Sequence, residues 1–70
     1  MNRIAVTRSS NVASVGYDHK TQTLEVEFTN GSVYQYFDVP QSVYDQLINA
    51  DSVGKYLNVN IKGSYRYARV

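Results

Sequence analysis

The thirteen residues from Phe28 to Pro40, Phe-Thr-Asn-Gly-Ser-Val-Tyr-Gln-Tyr-Phe-Asp-Val-Pro, constrain the fold more than any other part of this chain. Asn30 and Gly31 tolerate a positive φ, the Tyr34-x-Tyr36 pair suits a pleated surface, and Pro40 is pre-set for the first turn of a helix. A strand end, a tight turn, a second strand and a helix start therefore follow one another with no local conflict. This succession reads as a β-hairpin leading directly into a helix.

The first arm of that hairpin carries the clearest pattern. Leu24, Val26 and Phe28 alternate with Thr23, Glu25 and Glu27, and period two means a half-buried strand. The turn then decides where the tyrosines go, because a slip of one residue moves every side chain across the sheet. A two-residue Asn30-Gly31 turn would pair Phe28 with Val33 and bury Gln35. A three-residue Thr29-Asn30-Gly31 loop with a left-handed Gly31 sets Tyr34 and Tyr36 over Val26 and Leu24 and sends Gln35 outward. The second is preferred because it buries no amide, although it leaves Val33 and Phe37 on the outer face.

Upstream, Val12 to Tyr17 alternates more loosely, with Val15 and Tyr17 on one side, and reads as a strand. Residues 1 to 11 suggest a loop or a short edge strand. Downstream of Pro40, the residues Val43, Tyr44, Leu47 and Ile48 make one apolar helical stripe that ends near Ala50. Ser52 can cap a second helix in which Val53, Tyr56, Leu57 and Ile61 face inward, with Lys55, Asn58 and Lys62 together on the opposite side, until Gly63 stops it. The tail Tyr65-Arg66-Tyr67-Ala68-Arg69-Val70 alternates aromatic and basic residues and can return as a short strand. The expectation is an α+β fold: a three-stranded antiparallel meander followed by two α-helices packed on one face, with room for a short C-terminal strand.

Seventy residues suggest one domain, 1–70, with a core too small to enclose a catalytic cavity of ordinary size. The chain has no cysteine, so neither a disulfide nor a thiolate metal site can staple it, and a cytoplasmic setting is the default. No apolar run approaches the ~20 residues of a membrane helix, and the start of the chain reaches Arg3 too soon for a secretory signal. The net charge of +1 conceals an asymmetry: all six acids lie between Asp18 and Asp51, whereas Lys55, Lys62, Arg66 and Arg69 follow with no acid among them. One part of the molecule is therefore basic, a property that attracts polyanions.

Several segments together resemble a known family. They are Ser9-Ser10, Val15-Gly16-Tyr17-Asp18, Leu24-x-Val26-x-Phe28-x-x-Gly31-x-x-Tyr34-x-Tyr36, Val39-Pro40, and Ala50-x-Ser52-x-Gly54-x-Tyr56-x-Asn58-x-x-Ile61-Lys62-x-x-Tyr65. The set resembles the KTSC domain, named for its occurrence at the C-terminus of some lysyl-tRNA synthetases and found also as free-standing small proteins. The resemblance spans nearly the whole chain and implies RNA as a partner class. Leu57 departs from it, standing where the family often has an aromatic.

Catalysis has little to work with. His19 lies in a polar turn beside Asp18 and Lys20, there is no thiol nucleophile, Glu25 and Glu27 read as the solvated side of a strand, and the four glycines are too scattered for a phosphate loop. No enzyme activity, metal or cofactor is expected. Single-stranded RNA needs aromatic faces for bases and Lys or Arg for phosphates, and the Tyr65-Arg66-Tyr67-x-Arg69 tail beside Lys55 and Lys62 meets that requirement. Tyr34 and Tyr36 meet it less well, because outward rings would stand beside Glu25 and Glu27 and inward rings would be core. The expected function is thus a binding module for RNA through Lys55, Asn58, Lys62, Tyr65, Arg66 and Arg69, with Ser10 and Tyr17 as secondary candidates. The alternatives are a homo-oligomer that assembles a site for a nucleotide-like small molecule, and a module that binds a protein strand at an open sheet edge.

Overall fold

The computed structural model describes residues 3–7 and 11–70. Its elements are β1 (Arg3–Ala5), β2 (Val12–Asp18), β3 (Thr23–Phe28), β4 (Val33–Tyr36), α1 (Gln41–Ile48), α2 (Val53–Tyr56), a π-helical turn (Leu57–Ile61) and β5 (Tyr67–Arg69). The five strands form one sheet in the order β1-β2-β3-β4-β5, antiparallel throughout. The expected three-stranded meander is its centre. The segment read as a loop or short edge strand supplies β1, and the alternating tail supplies β5.

The hairpin register follows the bulged turn. Leu24 pairs with Tyr36, Val26 with Tyr34 and Glu25 with Gln35. Gly31 sits at φ +90°, its N–H donates to the Phe28 carbonyl at 3.0 Å, and the Phe28 N–H donates to the Ser32 carbonyl at 2.8 Å. The Asn30 Oδ1 accepts from the Ser32 N–H at 3.0 Å, a side-chain turn that Asn makes readily. Tyr34 and Tyr36 therefore share the inner face with Leu24 and Val26.

That inner face is covered by the helical layer. Val12, Val15, Leu24, Val26 and Tyr36 from the sheet pack with Val39, Leu47, Val53, Leu57 and Ile61, all of them buried. At roughly 25 cal/mol per Å² of apolar surface removed from water, this cluster is the main source of stability in a chain with no disulfide. Tyr17 belongs to the same layer: its hydroxyl donates to the Val39 carbonyl and its ring stacks on Tyr44 at 5.1 Å. The outer face is polar, with Arg3 3.3 Å from Glu25 and 3.8 Å from Glu27, Ser14 donating to Glu27 at 2.9 Å, and Gln35 donating to Glu25 at 3.1 Å.

Pro40 stands at the N-cap of α1, one position before the first helical residue where it was expected, and the Ser52 hydroxyl accepts from the Lys55 N–H at 3.3 Å, the N-cap that its position forecast. The second helix then departs from regular spacing. After Tyr56 the chain widens into the π-helical turn, and the Lys62 N–H reaches back to the Leu57 carbonyl at 2.9 Å. Lys62 itself is extended, at φ −63° and ψ 127°, and Gly63 turns the chain at φ +86°. Lys55, Asn58 and Lys62 therefore do not form one regular helical stripe, because the wider turn inserts a residue into the repeat.

Candidate functional site

The helical layer does not cover all of the inner face. Where β4 and β5 continue past it, an open cleft of about 600 Å³ lies between the β3–β4 turn, β5 and the Lys62–Gly63 bend. Strand pairing assembles its aromatic wall, since Tyr36 pairs with Tyr67 and paired residues share a face. Phe28 meets Tyr34 edge-on at 5.7 Å, and the Tyr67 ring lies 5.9 Å from Tyr34 and 5.8 Å from Tyr36. Tyr36 is buried at the floor and Tyr67 is 61% exposed at the mouth.

Lys62 faces this wall with its Nζ 5.1 Å from the centre of the Phe28 ring, a cation–π distance. Asn11, Thr29, Asn30, Ser32 and Gly63 complete the lining, which holds no carboxylate. Glu25 and Glu27 lie across the sheet, neutralised in part by Arg3. Burial, with the neighbouring Tyr34 and Tyr67 phenols as lesser causes, raises the Tyr36 pKa above its ordinary value, so the floor of the cleft is uncharged at neutral pH. The result is an uncharged aromatic surface beside a cation with no acid nearby.

The residues singled out from the sequence are distributed around this cleft rather than collected in it. Lys62 lines it. Arg69 pairs with Tyr34 on β5 and donates from Nη2 to the Ser32 hydroxyl at 3.2 Å, which brings a second cation to the rim. Tyr65 and Arg66 lie on the adjoining shoulder with Phe37, where the Arg66 guanidinium is 5.8 Å from the Phe37 ring and 3.1 Å from the Asp38 carboxylate. Lys55 and Asn58 are exposed on the helical layer and line neither surface. Tyr17 is tied to Val39 and Tyr44 within the packing, and Ser10 lies outside the described residues.

Tyr34 and Tyr36 are the residues of this cleft that a choice between outward and core rings passes over; Phe28 joins them from the end of β3, and Tyr67 comes from the aromatic and basic tail already read as a stacking surface. All face inward, with Tyr36 buried at the floor, whereas Phe28, Tyr34 and Tyr67 remain accessible because the layer above stops short of them. The alternation of the tail was the available signal for Tyr67, and the pairing of β5 with β4 is what gives that signal its meaning. Among the described residues, no cluster of three or more His, Cys, Asp or Glu could hold a metal, and no helix is long and apolar enough to cross a membrane.

A five-stranded antiparallel meander with helices over one face and an aromatic cleft beyond them defines a small α+β domain class. The chain belongs to the KTSC domain family, which it matches over residues 8–65. It is 46% identical over 59 residues to a lysine–tRNA ligase of Nostoc punctiforme, covering 84% of this chain but only 10% of that enzyme. An uncharacterized protein of Stutzerimonas stutzeri is 45% identical and is matched nearly end to end, over 100% of this chain and 99% of the other. The crystal structure of a KTSC domain protein from Yersinia pestis superposes with a TM-score of 0.92 at 33% identity, covering 99% of this chain and 96% of that one. The domain thus occurs both as one-tenth of a ligase and at the length seen here.

Proposed function

We propose that this protein is a non-catalytic module that binds single-stranded RNA, working in the cytoplasm, with the aromatic cleft receiving a base and the surrounding cations receiving phosphates. The observation that carries the reading is the Lys62 ammonium over Phe28 in a cleft walled by Tyr34 and Tyr67 and free of acids. Stacking on such faces contributes ~1–3 kcal/mol per base and is indifferent to sequence, while Lys and Arg supply the salt-dependent part. Arg69 at the rim and Arg66 on the shoulder extend the positive surface beyond the cleft. Kinship with segments of lysine–tRNA ligases, enzymes that act on tRNA, supports RNA as the polyanion. Duplex RNA would present its bases already stacked, so unpaired RNA is the form whose bases suit these rings.

Fluorescence anisotropy with a labelled hexameric single-stranded RNA at low salt tests the proposal. Wild type binds with an affinity that falls as salt rises, Tyr67→Ala weakens binding about tenfold, the loss of one stacked base, and a duplex of the same sequence binds less tightly. An undetectable interaction at low salt, or a Tyr67→Ala variant that binds as wild type does, overturns it.

A further inference from the structure

We propose that the cleft takes a single phosphate-bearing nucleotide unit and that Lys62 makes it select that unit over the bare nucleoside. The inference shares its cleft with the RNA-binding reading and deepens it by naming what one occupant must carry.

Three features lead there. First, Phe28, Tyr34 and Tyr67 already touch one another in sequence, at 5.7 and 5.9 Å between centres, so no slot between them awaits a base. A base must lie against their open faces, and the ~300–1,000 Å³ typical of small-ligand clefts includes this one at about 600 Å³. Second, one face of the Phe28 ring is occupied by Lys62 itself, and both residues line the cleft. A base can stack there only after the ammonium leaves. Third, Lys62 is exposed and, among the described residues, no carboxylate lies within ion-pair distance of it, in contrast to Arg3 and Arg66, which both have acidic partners.

A cation held only by a ring on a flexible four-carbon stem is readily drawn off by a stronger acceptor, and a phosphate is one. A nucleotide brings that phosphate with its base, so the ammonium exchanges a ring for an anion. A nucleoside brings none and must displace Lys62 without replacement. The π-helical turn and Gly63 hold Lys62 at this position, where a continued α-helix would have carried it round the helix axis.

Isothermal titration of wild type, Lys62→Ala and Lys62→Arg with adenosine, adenosine 5′-monophosphate and a hexa-adenylate RNA tests the inference, with circular dichroism as the check on folding. Wild type binds the monophosphate at least about tenfold tighter than adenosine, the scale of one charge-assisted contact. In Lys62→Ala that preference disappears, and adenosine binds about two- to fivefold tighter than to wild type because Phe28 is uncovered. Lys62→Arg restores the preference. Equal weakening of both ligands by Lys62→Ala, absence of any preference in wild type, or binding of neither ligand overturns the proposal. Should the monophosphate pattern hold while the hexamer binds no tighter than the monophosphate, the ligand is a free nucleotide and the RNA reading fails by itself. Tight hexamer binding with no monophosphate preference leaves the RNA reading standing and removes this one.

Discussion

Replacing Gly31 tests the turn that sets every side chain of β4 on its face. Gly31 sits at φ +90°, and a Cβ built there meets nothing within 4 Å. An L-alanine therefore brings no clash with the rest of the protein, and its cost is confined to the backbone. Placing an L-residue in the left-handed region costs roughly 1–2 kcal/mol, offset by a few tenths to ~1 kcal/mol from the stiffer unfolded chain. The expected net loss for Gly31→Ala is about 1 kcal/mol, or ~4–8 °C in Tm for a domain of this size. A chain of seventy residues is within reach of chemical synthesis, which permits a D-alanine at the same position. The D-residue accepts a positive φ and retains the entropic gain, so it raises stability by ~0.4–1 kcal/mol. Thermal and denaturant unfolding of the three proteins, with cross-strand NOEs between Glu27 and Val33 as the register check, measures the effect. Equal destabilisation by both enantiomers would show that space, not chirality, limits the site, and would refute the reasoning.

Three further outcomes follow from the packing and the charges. Tyr17→Phe removes the donor to the Val39 carbonyl while keeping the ring on Tyr44, and should cost ~1–3 kcal/mol in urea unfolding because a buried acceptor loses its partner. Burial raises the phenol pKa of Tyr36, with Tyr34 and Tyr67 adding to it, and burial followed by Asp45 raises that of Tyr44. The folded state then keeps protons that the unfolded state releases near pH 10, so stability is level below that pH and falls as pH rises above it, with a shallower fall in Tyr36→Phe. Arg66 and Asp38 are both largely exposed, so Arg66→Ala should change stability by less than ~1 kcal/mol, whereas Arg66→Glu should lower the salt slope of RNA binding by about one.

The sheet was legible from local chemistry because its determinants are local. Alternation through Leu24, Val26 and Phe28 names the inner face, and the demand of Gly31 for a left-handed conformation selects the turn that keeps Gln35 out of the core. Ser52 announces its helix by the cap it makes. The cleft was not legible in the same way. Its existence depends on where the helical layer ends relative to β4 and β5, a distance that no periodicity encodes. Lys62 shows the limit most clearly: regular helical spacing groups it with Lys55 and Asn58, and one π-helical turn instead brings it over Phe28, at the end of β3 and far upstream in the chain. Leu57, where the family often has an aromatic, is buried in the core, so the exchange alters packing and takes no ring from the cleft.

RNA binding at the cleft is tested most directly by a two-dimensional NMR titration of the wild-type protein with unlabelled single-stranded RNA hexamer, following the backbone amides, the aromatic protons and the lysine side chains. Saturable shifts are expected at Phe28, Tyr34, Tyr67 and Lys62, smaller ones at Arg66 and Arg69, and none at Arg3 or Glu25 on the opposite face. Shifts confined to that polar face, or to Lys55 and Asn58 with the four cleft residues unmoved, would contradict it.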